Sequence, residues 1–136
     1  MTKIIDNLNN KQKKELHAFY QKEWWSNDRT LEDIEFILKH SSFYIGLVDD
    51  NDKLLAFARI LTDYFQFAYV YDVIVAEENR ERGLGKKLME AIIIHPALRN
   101  IKNIELVCRR EKQSFYEQFG FSTNYGKSVA MRKQKL

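Results

Sequence analysis

The chain of 136 residues is poor in the residues that usually announce a special architecture: it has one proline, one cysteine and five glycines. Neither sign of charge dominates, since 22 Lys and Arg stand against 19 Asp and Glu for a formal net charge of +3. Each scarcity excludes something. A single cysteine, Cys108, allows no internal disulfide and matches no metal-ligand spacing, so it is expected as a small buried apolar residue near a strand end, and the cytoplasm is the matching compartment. No run approaches the roughly 18 apolar residues of a membrane span, and the polar start MTKIIDNLNN lacks the apolar centre of a signal peptide. His17, His40 and His95 have no mutual spacing that suggests a metal site, so no metal is expected. A net charge of +3 does not argue for nucleic acid, and the basic residues between Arg80 and Lys87 are interleaved with Glu77, Glu78, Glu81 and Glu90. Neither a nucleic-acid nor a membrane partner is expected. With no repeats, linkers or low-complexity tracts, residues 1–136 read as a single domain able to bury roughly two-thirds of its unfolded surface.

What is present concentrates in Tyr69 to Met89, YVYDVIVAEENRERGLGKKLM. Val70, Val73, Ile74 and Val75 read as a buried strand, Glu77 to Arg80 as a polar turn, and a helix restarts after Gly83, with Leu84, Leu88, Ala91 and Ile92 on one apolar stripe. The junction Arg80-Glu81-Arg82-Gly83-Leu84-Gly85-Lys86 places two glycines where the first helical N–H groups lack partners, surrounded by Arg80, Arg82, Lys86 and Lys87. A helix start of this kind binds anions, and a phosphate or pyrophosphate is the natural guest. Two nucleotide motifs are excluded: no third glycine completes G-x-G-x-x-G, and no G-x-x-x-x-G-K-[ST] occurs.

Along the rest of the chain, Lys3 to Asp6 reads as a short edge strand. A helix follows from about Asn10 with Asn9 or Asn10 as its cap, and a second starts at a Thr30/Asp33 capping box and ends near His40. Ser42 to Val48 and Lys53 to Leu61 flank an Asp/Asn turn as a β-hairpin. Beyond the Tyr69–Met89 unit come a turn at Pro96, a strand from Ile104 to Cys108, a helix from about Lys112 to Phe119 ended by Gly120, and a closing hairpin of Phe121 to Asn124 and Ser128 to Arg132. The order β-α-α-β-β-β-α-β-α-β-β describes a mixed α+β sheet with helices packed on it.

R-x-x-G-x-G after a β-strand, followed some thirty residues on by Tyr116-Glu117-Gln118-Phe119-Gly120-Phe121, resembles the GCN5-related N-acetyltransferases (GNAT). Within them the run DYFQFAYVYDVIV, with GLGKKLME, His95-Pro96 and FYEQFGF, is similar to a small single-domain bacterial subgroup, over about Trp24 to Phe121. The resemblance implies an acyltransferase fold in which the strands equivalent to Val70–Val75 and Ile104–Cys108 splay apart. It implies acetyl-CoA as donor, its pyrophosphate on Arg80, Glu81, Arg82, Gly83, Leu84, Gly85 and Lys86, and its pantetheine arm bonded by the backbone of Val73, Ile74 and Val75 as a partner strand would be. The acceptor is then an amine of a small molecule or a protein, and a homodimer is a family option.

For the chemistry, Tyr116 matches the family tyrosine that protonates the leaving thiolate. The oxyanion is assigned, by resemblance, to the backbone N–H of Val75 or its neighbours. Asp72 is the named candidate for general base, with Glu23, Glu111 and water as alternatives. Strand alternation puts Tyr71 and Val73 on one face and Asp72 with Ile74 on the other, leaving open which meets substrate. Trp24, Trp25 and Tyr71 are the candidate acceptor pocket, since indoles attract cationic amines. Arg109, Arg110 and Lys112 stand where family members often carry Asn, or Asp and His, so a cofactor role and a solvated face both remain open for them. A competing reading retains the coenzyme A site without catalysis, as a binding or regulatory module.

Overall fold

Two capping boxes start the first helices, as their sequence signatures lead one to expect. Asn9 Oδ1 accepts the Gln12 N–H at 2.8 Å while Gln12 Oε1 accepts the Asn9 N–H at 2.9 Å, opening α1 (Asn10–Lys22). Thr30 and Asp33 exchange the same pair of bonds at 3.1 and 2.8 Å to open α2 (Leu31–His40). Glu32 and Asp33 at its positive end and Lys39 and His40 at its negative end complement the helix dipole. The computed structural model describes residues 1–135; Leu136, last residue of the expected domain, lies outside them.

Five strands form one sheet in the order β1 (Lys3–Ile5), β2 (Phe43–Val48), β3 (Leu54–Thr62), β4 (Phe67–Val75) and β5 (Asn103–Leu106). The first four are antiparallel neighbours, and β5 runs parallel to β4. A parallel neighbour requires a crossover, which α3 (Leu84–Ile93) supplies. The hairpin turns are built by aspartates. Asp49 Oδ1 accepts from the N–H groups of Asn51 and Lys53, and Asp63 Oδ1 from those of Phe65, Gln66 and Phe67. After β5, a 3₁₀ turn (Arg110–Lys112) leads into α4 (Gln113–Glu117).

Helices cover both faces of the sheet. On one, Ala56, Ala58, Ile60, Ala68 and Val70 pack with Leu84, Leu88, Met89 and Ile92 of α3. On the other, Leu54, Phe57 and Ile74 pack with Leu16 and Tyr20 of α1 and Ile34 and Leu38 of α2. The β4–β5 ladder extends only from Phe67↔Asn103 to Val70↔Leu106, whereas β4 continues to Val75. The two strands therefore part, as the family resemblance implies.

Three sequence expectations are corrected. The closing hairpin of Phe121–Asn124 and Ser128–Arg132 is not formed; a turn is present at Gly126 and Lys127, but neither flanking segment is a strand. Val129 and Met131 are 78% and 92% exposed, so the segment has no buried face to set a strand register. β5 ends at Leu106 rather than Cys108 because it has left β4 by then, and Val107 is exposed. The last helix is shorter than Lys112–Phe119, its first turn being 3₁₀.

The Thr30 cap sits next to Arg29, which belongs to the site described below. Thr30→Ala is expected to cost about 1 kcal/mol through the lost cap, read as a lower urea midpoint with an unchanged m-value.

Candidate active site

β4 is irregular at one point. Arg59 pairs with Tyr71 and Phe57 with Ile74, so Asp72 and Val73 together oppose Ala58 alone, a bulge in which Asp72 has φ of 57°. The extra residue shifts the strand's parity. Tyr71, directly opposite Arg59, lies on the α1/α2 face, and so does the Asp72 carboxylate, which meets Tyr20 of α1, while Val73 returns to the α3 face. Alternation had separated Tyr71 from Asp72; the bulge brings both to one face.

Asp72 is the centre of an ionic cluster. Its Oδ2 accepts from Arg59 Nε at 2.6 Å, from Arg29 Nη1 at 2.9 Å and from the Tyr20 hydroxyl at 2.9 Å. The Asp72 side chain is 8% exposed and those of Arg59 and Arg29 are 18% and 23% exposed. Burial, then the Asp72 charge, raises the Tyr20 phenol far above its ordinary range, so it remains a donor. Arg29 also lies over the rings of Tyr20 and Trp25, at 4.5 and 5.4 Å, and Arg59 over Tyr71 at 5.4 Å. The cluster ties the α1–α2 loop to β3 and β4.

The Arg80–Lys86 loop has the geometry of an anion site. Glu81 and Gly83 have φ of 67° and 75°, and Gly83 is the N-cap of α3 with no side chain closing the helix end. The first backbone bond into α3 runs from the Lys87 N–H to the Gly83 carbonyl at 3.1 Å, so the amides of Leu84, Gly85 and Lys86 have no intrahelical partner. Leu84 is buried and anchors the loop. The two glycines act differently: a Cβ on Gly83 would meet nothing within 4 Å, so conformation selects glycine there, whereas one on Gly85 would come within 3.2 Å of Phe115, so packing does. Arg80 donates from Nε to the Val75 carbonyl at 3.1 Å and from Nη2 to Glu23 at 3.2 Å. Lys86 faces Glu90 at 4.0 Å. Lys87, read from sequence as a fourth cation of this cluster, is not part of it; its ammonium bonds to Thr2.

The strand edge beside this loop is open. The Ala76 N–H donates to Leu55 of β3 at 2.8 Å. Amides of successive strand residues alternate in direction, so those of Ile74 and Ala76 face β3 and those of Val73 and Val75 face the gap toward β5. The Ile74 side chain is buried between α1 and the sheet.

A groove of about 1070 Å³ runs along β5 and is lined by Tyr71 and Tyr116 together, with Cys108 beside them. Burial, with a smaller contribution from Cys108, raises the Tyr116 phenol to about 12. Cys108 is half-buried, and burial followed by the Glu117 charge raises its thiol.

Of the other candidates, Trp25 meets the Tyr20 ring edge-on, and Trp24, 69% exposed, lies under Arg109 at 5.6 Å. Neither lines the groove with Tyr71. Glu23 and Glu111, alternatives for the base, are paired with Arg80 and Arg109 at 3.2 and 3.1 Å. His95 stacks on Phe43 and caps a 3₁₀ turn through Nδ1. Among the described residues no group of three or more His, Cys, Asp or Glu is placed to hold a metal. Tyr20, Arg29 and Arg59 were not singled out from sequence. An arginine inside the apolar run LLAFARIL was the available signal, since a charge in a buried strand needs a partner.

Helices on both faces of a mixed sheet, two parallel strands that part, and an uncapped helix N-terminus at the opening define the acyl-CoA N-acyltransferase class of fold. The profile of the Acetyltransferase (GNAT) family matches residues 6–121, and the chain belongs to that family. It is 34% identical over 96 residues to the uncharacterised N-acetyltransferase ycf52 of Porphyra purpurea, covering 68% of this chain and 55% of that protein. It is 35% identical over 79 residues to the chloroplastic GCN5-related N-acetyltransferase 2 of Arabidopsis thaliana, covering 58% of this chain and 31% of that one. The chain thus spans about half the length of the ycf52 relatives it matches. A Xanthomonas campestris pv. campestris protein described as belonging to the GNAT family superposes with a TM-score of 0.76 at 29% identity, over 88% of this chain and 84% of that one. Glucosamine-6-phosphate N-acetyltransferase from Arabidopsis thaliana shares the fold, with a TM-score of 0.74 at 20% identity over 98% of both chains. No helix among the described residues is long and apolar enough to cross a membrane.

Two substitutions test this geometry. Asp72→Asn leaves two part-buried guanidiniums without their carboxylate and is expected to lower unfolding free energy by roughly 3 kcal/mol, measured by urea denaturation. Gly83→Ala places a Cβ on a left-handed residue, which costs roughly 1–2 kcal/mol, and is expected to appear as a lower melting temperature.

Proposed function

We propose that the protein is an acetyl-CoA-dependent N-acetyltransferase in which an amine attacks the donor directly, both substrates being bound together. The observation that carries this reading is the convergence of three unspent features on the parting of β4 and β5: the uncapped start of α3, the inward amides of Val73 and Val75, and the groove with Tyr116. These features fit an acyl-CoA. The orphan amides of Leu84 to Lys86 and the charges of Arg80, Arg82 and Lys86 suit a pyrophosphate, and the Val73 and Val75 amides suit the pantetheine carbonyls.

Acetyl-CoA supplies a thioester: a C–N bond forms between the amine and the acetyl carbon, the C–S bond breaks, and the sulfur departs with the electron pair. Tyr116 then delivers its hydroxyl proton to that sulfur and regains one from the acylated nitrogen through water. A phenol raised to about 12 is fully protonated at neutral pH, so the donor is always loaded. It is a weak acid, and proximity supplies what acidity does not. An inward amide of β4 faces the charge developing on the thioester oxygen. Asp72, with one oxygen held by three donors, is assigned a positioning role: it holds the bulge that carries Tyr71 and Val73, and the amine loses its proton to water.

Acetyl-CoA at one hundred times its dissociation constant is expected to stabilise the protein by roughly 2.7 kcal/mol, visible as a thermal shift; no shift at millimolar donor would sink the proposal. Tyr116→Phe is expected to lower kcat about a hundredfold with acetyl-CoA affinity nearly unchanged. With the working phenol protonated below about 12, wild-type kcat should show no alkaline decline up to pH 10. A coenzyme A binding module without catalysis would give the thermal shift and no release of free thiol with any amine.

A further inference from the structure

The groove that holds Tyr116 carries features that acetyl transfer itself does not use. On the face of β4 that lines it, Phe67, Tyr69 and Tyr71 form a ladder of stacked rings, with centroids 6.2 and 6.4 Å apart and planes tilted by 27° and 25°. Tyr69 and Tyr71 are each 39% exposed, and Tyr125, from the segment after α4, is 42% exposed along the same groove. Glu105 of β5 is paired directly with Tyr69 and also lines the groove. Both phenols are raised, Tyr69 by burial first and then by the Glu105 charge, and Tyr125 by Glu105 first and then by burial. Among the described residues Glu105 makes no ion pair, whereas Glu23 and Glu111 each hold an arginine.

An unpaired carboxylate among aromatic rings is a receptor for an organic cation, because ring faces and carboxylate attract the same charge. The other charged groups do not cancel it. Lys102 precedes β5, at the end of the ladder away from the strand parting; Arg59 lies over Tyr71 but is committed to Asp72; and Glu117 adds a second negative charge. The spacing is also defined. Tyr69 and Tyr71 are two residues apart on one strand, roughly 6.6 Å, so a cation at Glu105, opposite Tyr69, lies about that far from an amine at Tyr71, in the groove that Tyr116 also lines. At bond lengths near 1.5 Å, about four methylene groups bridge that distance.

We propose, resting on the acetyl-transfer reading above, that the acceptor is an aliphatic diamine. Its charged nitrogen is held by Glu105 between Tyr69 and Tyr125, and its neutral nitrogen is presented at Tyr71 and Tyr116 for acetylation. The stacked rings of Tyr69 and Tyr71 cover the methylenes between them. The product keeps one positive charge and one N-acetyl group.

The test is the ratio of kcat/KM for diaminobutane to that for butylamine, followed by thiol release from acetyl-CoA in the intact chain. The expected ratio is about tenfold or more, with diaminobutane preferred over the shorter diaminoethane. Glu105→Gln is expected to bring the ratio close to one, and Glu105→Asp to restore most of it by keeping the charge. A ratio near one in the native chain, or one that Glu105→Gln leaves unchanged, overturns the proposal while turnover of any amine preserves the transfer reading. If no amine releases thiol, both are overturned.

Discussion

Asp72 is a non-glycine residue held at a φ of 57°, in a region that costs a side chain roughly 1–2 kcal/mol. Two arginines and a tyrosine hold it there, all through one carboxylate oxygen. Without that bulge β4 would alternate regularly to its end, and Tyr71 and Ile74 could not both face α1 and α2. With it, the first half of β4 turns its aromatic ladder toward the groove while Ile74 fills the core and the amides of Val73 and Val75 address the gap. The ionic cluster is thus a structural constraint first. Its chemical consequences follow from where it sends its neighbours.

The same parting of the strands divides the labour between the two faces of the sheet. On the α3 side the open groups are backbone: a helix opened without a side-chain cap, a left-handed glycine, and strand amides deprived of a partner when β5 ends at Leu106. The α1/α2 side presents side chains instead, the aromatic ladder of β4 and the Glu105 carboxylate, while half-buried Tyr116 packs against the α3-side core at the rim of the same groove. Backbone donors suit a donor substrate whose phosphates and amides are the same in every reaction. Side chains suit an acceptor that differs from one enzyme to the next, which is the division of roles that the proposed function rests on.

Helix starts, hairpin turns and the anion loop were legible because each is a local bargain between neighbouring residues: Asn9 with Gln12, Thr30 with Asp33, Asp49 with its own turn. The place of Tyr116 on the last helix was legible because it stands four residues before Gly120. The Asp72 cluster was not, because Tyr20, Arg29 and Arg59 lie 52, 43 and 13 residues from it, and nothing near any of them marks the partner. The closing hairpin failed for the opposite reason: its local pattern was strand-like, but Val129 and Met131 find no core to cover.

The sequence by itself determined the family, the element order up to α4 and the open helix start after Gly83, since these rest on periodicity, caps and glycines that act within a few residues. Tertiary structure alone decided that Lys87 turns away to Thr2, that Gly85 is small for the sake of Phe115, and that Tyr71 and Asp72 share a face. It also set Glu105 beside Tyr69 across the β4–β5 register. Each of these is a contact between residues distant in the chain, and which side chains meet across a sheet depends on register and bulges that no local pattern encodes.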